Sequence, residues 1–144
     1  MGSRLLHFFG GNNKYLLDSY PNAIVGFSLR KLRGGYNGSC IRVRRSSDNS
    51  ELNIGFVNDE LDTASLLSFC GANNGFISIW YDQSINSNNA AQTTILSQPQ
   101  IVASGSIINV NTKPAITFDG TNDFLNLTTN INPTSSSYNW IMER

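Results

Sequence analysis

Apolar and polar residues alternate along several short stretches of this chain, which is the repeat of a strand with one buried face. Between residues 40 and 45, Ile41 and Val43 fall on one face and Arg42 and Arg44 on the other. Residues 51–57 alternate again. Residues 76–81 (Phe76-Ile77-Ser78-Ile79-Trp80-Tyr81) combine β-branched and aromatic side chains and read as the strongest strand. If that strand is regular, Ile77 and Ile79 share a face, and Trp80 and Tyr81 point to opposite ones. Residues 23–30 form a buried strand, and 100–102, 107–110, 115–118 and 124–127 are further candidates.

Two helices break the pattern. Residues 61–71 have Asp62 as N-cap, an apolar side made by Leu66, Leu67 and Phe69, and Gly71 at the C-terminal cap. Residues 13–20 allow about two turns before Pro21 stops them. Turns fall at 34–38, 46–50 and 73–75. Many short strands with turns between them predict a mainly β sandwich with one or two short helices. Its expected core is Ile24, Phe27, Leu29, Ile41, Val43, Ile54, Phe56, Leu66, Leu67, Ile77, Ile79, Ile116 and Phe118.

Two segments carry candidate chemistry. Trp80-Tyr81-Asp82-Gln83-Ser84 runs into Asn86, Asn88 and Asn89, and Phe118-Asp119-Gly120-Thr121-Asn122-Asp123-Phe124-Leu125 follows later. In each, strand formers meet short polar side chains that build tight turns at strand ends. The same side chains can hold a sugar hydroxyl or a calcium ion. Trp80, Tyr81, Asp82, Gln83 and Asn86 are thus carbohydrate-binding candidates, one aromatic serving as a stacking platform. Asp82 equally suits the role of a turn cap that accepts backbone N–H bonds. Asp119, Asn122 and Asp123 bring three oxygen ligands together as a calcium candidate, with turn formation by Asp119-Gly120 as the alternative.

Together the two segments resemble the concanavalin A-like, laminin-G-like sandwich domains, nearest to the catalytic-domain type of α-L-arabinofuranosidase B as found in phage structural proteins. Ala23-Ile24-Val25-Gly26-Phe27-Ser28-Leu29-Arg30 is similar to the first strand of those domains, and Ile41-Arg42-Val43-Arg44-Arg45-Ser46-Ser47-Asp48 to the phage-type relatives. The likeness covers residues 20–127, a jelly-roll sandwich domain between an extension (1–19) and a polar tail (128–144). Ile85 and Ser87 depart from it, since relatives usually carry Gly at both places. The resemblance implies that the family's catalytic carboxylates lie downstream of the matched region, so none is carried over and no catalytic residue is assigned. It also implies that the chain holds the first half to two-thirds of a jelly roll. Exposed sheet edges would then recruit a second copy or another virion protein, with the aromatic tail 138–142 docking on a neighbour as a replacement strand, unless the chain forms a smaller closed sheet.

Composition narrows the choice. The 144 residues suit one domain, and the formal net charge is zero with only 14% charged residues. No global pull toward nucleic acid follows. No stretch is long enough for membrane insertion, and the apolar run near the start is too short for a signal-peptide core. Arg42, Arg44 and Arg45 suit either anionic sugars or a solvated outer face. Cys40 and Cys70 suit two buried thiols or one bridge. The single histidine, His7, lies outside the resemblance and gives no triad. The sequence therefore points to a non-catalytic phage virion or appendage component that binds host glycans, calcium being a possible ligand and the location the virion or the extracellular space. The alternatives are an arabinofuranosidase-like hydrolase fragment or subunit, and a purely structural module.

Overall fold

The computed structural model describes residues 14–131 and the backbone of residues 140–143. His7 and residues 132–139 lie outside the described residues. A short helix, α1 (Leu16–Ser19), leads into β1 (Val25–Ser28), all four residues of which are buried. Next come β2 (Ile41–Arg45) and β3 (Glu51–Ile54), then β4 (Phe56–Val57) and β5 (Glu60–Leu61). Helix α2 (Thr63–Cys70) precedes the longest strand, β6 (Gly75–Trp80). The chain continues through β7 (Ala90–Ala91), β8 (Gln100–Ala103), β9 (Ser106–Ile107), β10 (Asn109–Val110), β11 (Lys113–Pro114) and β12 (Asn126–Leu127). The last strand is β13 (Trp140–Glu143).

The main sheet has seven strands, ordered β12-β7-β6-β2-β3, with β8 and β9 joining through β6. Strand β6 sits at its centre, antiparallel to β2 along one side and to β7 and β8 along the other. One face carries the core. Ile41, Val43, Ile54, Ile77, Ile101 and Val102 are buried there against Leu29, Leu61 and the helix residues Leu66 and Cys70. Burying six such side chains at about 2 kcal/mol each is the main driving force for the sheet. Helix α2 forms as its caps predict: Asp62 accepts the Ser65 N–H, and Gly71 takes a φ of 56°. It lies so close to the sheet that a Cβ on Gly75 would stand 2.8 Å from Cys70 Sγ and 3.1 Å from Val43 Cγ1. Cys40 and Cys70 are both buried free thiols.

Three hairpins share one geometry. The two-residue loops Asn58-Asp59, Ser104-Gly105 and Asn111-Thr112 all have both residues at positive φ. They join strands in the registers Val57↔Glu60, Ala103↔Ser106 and Val110↔Lys113. Such primed turns match the right-handed twist of the strands they connect.

Several expectations change. The alternation of 51–57 breaks at Gly55, so β3 stays in the main sheet while β4 pairs only with β5. The register between β2 and β6 shifts between Arg42 and Val43, which face Ile79 and Ile77 respectively and leave Ser78 as the extra residue of a β-bulge. Ile77 and Trp80 therefore pack on the core side, while half-buried Ile79 lies opposite Arg42. Phe118, expected in the core, is 44% exposed. Its segment makes only one isolated bridge, Gln100↔Thr117, before leaving the sheet. The backbone of β13 pairs in parallel with β1 of the same chain, Val25↔Trp140 through Ser28↔Glu143.

Candidate functional site

The first polar segment is a clasp. Leaving β6, the chain brings Asp82 to 2% exposure, where the carboxylate accepts four hydrogen bonds. Oδ1 accepts from Gly26 N and Ser84 N, both at 2.8 Å. Oδ2 accepts from Ser84 Oγ at 2.6 Å and Asn88 N at 2.8 Å. Gln83 is fully buried: its Oε1 accepts from Leu32 N at 2.7 Å, and its Nε2 donates to Ser28 O and Arg30 O. Asn86 donates to Ala23 O and Ile24 O, and Asn88 to Ile24 O. The side chains after β6 thus satisfy the backbone of residues 23–32, which has no place in the main sheet. Trp80 packs on Phe27 with centroids 5.6 Å apart. Of the other candidates, Tyr81 is half-buried and donates to Asn53 Oδ1 at 2.9 Å, and Asn86 is exposed.

The second segment is a turn closed on itself. Asp119 Oδ1 accepts the N–H groups of Thr121, Asn122 and Asp123, and Asp123 Oδ2 accepts that of Asp119. The three bonds hold the Asp119 carboxyl below its usual range. Asn122 donates to Leu96 O. Among the described residues there is no group of three or more His, Cys, Asp or Glu side chains placed to hold a metal ion.

The face of the main sheet opposite the core carries two adjoining clefts, of about 460 and 430 Å³. They share Arg44, Asn49, Ile95 and Gln98. The larger extends to Phe76, Leu96, Asp119 and Asp123; the smaller to Arg42, Glu51, Ile79 and Gln92. β2 supplies both arginines because its polar positions face outward, and β6 supplies Phe76 and Ile79 because the bulge restores that face. Arg44 is only 5% exposed. Its Nε donates to Gln98 Oε1 at 2.6 Å and Nη1 to Asn49 Oδ1 at 2.9 Å, and the guanidinium lies 4.8 Å from the Phe76 ring centroid. Gln98 in turn donates to Gln92 O, and Gln92 to Phe124 O. Burial lowers the Arg44 pKa, an effect that Glu51 opposes. Arg45 parts from the other two arginines, bonding to Asp48 and to Phe69 O.

Phe76, Gln92 and Gln98 are among the cleft residues that the sequence did not flag. Phe76 has the right parity once Arg44 is known to face outward. The two glutamines lie in irregular segments and carry no periodic signal. A third cleft, of about 470 Å³, lies elsewhere beside Lys31, Tyr36, Phe56 and Asp59.

Residues 21–128 match the family model for the catalytic domain of alpha-L-arabinofuranosidase B. Among solved structures, two similar ones are a GH54 α-L-arabinofuranosidase soaked with a cyclic sulfate inhibitor and an arabinofuranosidase complexed with arabinofuranosyl-alpha-1,2-xylobiose. Each is 27% identical with a TM-score of 0.45, over 49% of this chain and 15% of the other. No curated protein matches the chain.

Proposed function

The chain belongs to the family of the α-L-arabinofuranosidase B catalytic domain, and from that premise we propose that it forms the glycan-holding sheet of an arabinofuranosidase-type glycoside hydrolase acting on arabinose-bearing polysaccharide. The match over residues 21–128 carries this reading. It moves the hydrolase reading ahead of the phage virion one, because the matched family is a catalytic domain.

The outer clefts suit such a ligand. They combine cationic and amide donors, carboxylate acceptors and an aromatic ring, with exposed Ile95 and Leu96 on the rim. Few convergent polar groups on a partly apolar lining are what orients a sugar. The Asp82 clasp contributes by fixing the end of β6, and the Asp119 turn by closing one end of the larger cleft.

No carboxylate pair of the described residues is assigned the acid and nucleophile roles of a retaining glycosidase, which require a separation of about 5 Å. Glu51 pairs with Arg42, and Glu60 lies 3.7 Å from Lys113. Affinity electrophoresis in gels containing arabinoxylan or arabinan, beside an assay on 4-nitrophenyl α-L-arabinofuranoside, tests the proposal. Retardation by the arabinose-bearing polymers, with no turnover by this chain alone, is expected. Unretarded migration in both gels contradicts it.

A further inference from the structure

The smaller outer cleft is lined by two arginines whose hydrogen-bonding capacity the protein fills only in part. Arg44 has five N–H donors, and two are bonded, both to neutral amide oxygens. Among the described residues no carboxylate forms an ion pair with it. Among the described residues its Nη2 has no hydrogen-bond partner and is not a buried orphan, so it keeps some access to the clefts that Arg44 lines. Arg42 lies two residues along β2 on the same face. Glu51 Oε2 stands 2.7 Å from Arg42 Nε, but the N–H is not directed at it, and Nε remains a buried donor without a hydrogen bond. A guanidinium this buried, hydrogen-bonded only to amides, is in an environment that favours a closely held anion.

The charge on the walls locates that anion. The smaller cleft has two arginines against one glutamate. The larger adds Asp119 and Asp123 beyond Arg44, which repel an anion and suit neutral hydroxyl groups. We propose that the Arg42–Arg44 cleft seats the carboxylate of a hexuronic acid carried on the polysaccharide, while the adjoining cleft by Phe76 and Asp119 holds neutral sugar rings. This deepens the glycan reading above and rests on it. The planar guanidinium fork matches a carboxylate in shape as well as charge, so the preference is for an acidic sugar over its neutral counterpart.

Calorimetry with the purified chain and three probes tests the inference: a neutral arabinoxylo-oligosaccharide, the same oligosaccharide bearing a glucuronic acid branch, and the methyl ester of that acid. The acid is expected to bind about tenfold more tightly than the other two, with the advantage shrinking as salt rises. Arg44→Gln and Arg42→Gln should each weaken the acid by more than the neutral probe and so reduce the advantage. The ester carries the same comparison on the unaltered protein, so a variant that fails to fold does not remove the test. Equal binding of acid and ester overturns the uronate seat and leaves the glycan reading standing. Binding of none of the three overturns both. Glucuronate or acetate alone binding as tightly as the acidic oligosaccharide marks a free-anion site and also overturns it.

Discussion

Asp82 Oδ1 accepts the backbone N–H of Gly26 at 2.8 Å across 56 residues of sequence. That bond ties the end of the central strand to β1. Asp82→Asn puts an amide NH2 where a carboxylate oxygen now accepts, facing donors it cannot satisfy. The variant should lose about 2–3 kcal/mol in urea denaturation. Unchanged stability would show that the clasp does not hold β1 to the end of β6.

Ser87 lies in the same loop at a φ of 55°, in the left-handed region. A non-glycine residue there costs about 1 kcal/mol. Ser87→Gly should therefore stabilise the fold by about 0.5 kcal/mol after the greater freedom of glycine in the unfolded chain is subtracted. Ile85, the other departure from the family's glycines, is not at positive φ and is 66% exposed. Ile85→Gly should give no gain. A Ser87→Gly variant less stable than the parent is the contrary result.

The bulge at Ser78 separates two isoleucines that a regular strand would place together. Ile77 is fully buried and Ile79 half-buried on the cleft side. Ile77→Ala should cost about 3–4 kcal/mol and Ile79→Ala about 1 kcal/mol. Equal losses would mean that the register is continuous.

Burial pushes the Tyr36 phenol up to about 12, and its hydroxyl donates to Ser39 O at 2.8 Å. The unfolded chain loses this proton near pH 10 while the folded protein keeps it. Folding is thus coupled to proton retention, and stability should fall as pH rises from about 10 through 12. Phenolate absorbance should show a titration step near 12, and Tyr36→Phe should remove that step. A step there that persists in Tyr36→Phe would contradict the assignment.

Much of this architecture can be read from residue types. The alternation of Ile41, Arg42, Val43 and Arg44 gives both faces of β2, and Asp62 and Gly71 give both ends of α2. The bulge is silent because Ser78 fits the strand pattern as well as any residue. Two of the three hairpin loops lack glycine altogether, so Asn58-Asp59 and Asn111-Thr112 give no strong turn signal even though their backbones adopt positive φ. In sequence Asp82 reads as a ligand group or as a turn cap, and nothing local reveals that it and Gln83 also reach backbone atoms of residues 26–32. The cleft is assembled from β2, β6 and the loop around Gln98, which meet only once the sheet forms.

The direct test of the glycan-holding sheet is to map an arabinoxylo-oligosaccharide onto the protein by amide chemical shifts. The largest changes are predicted at Arg44, Phe76, Ile79 and Gln98, with little change at Tyr36 and Phe56 in the third cleft. Shifts confined to that third cleft, or none at saturating oligosaccharide, would contradict the account.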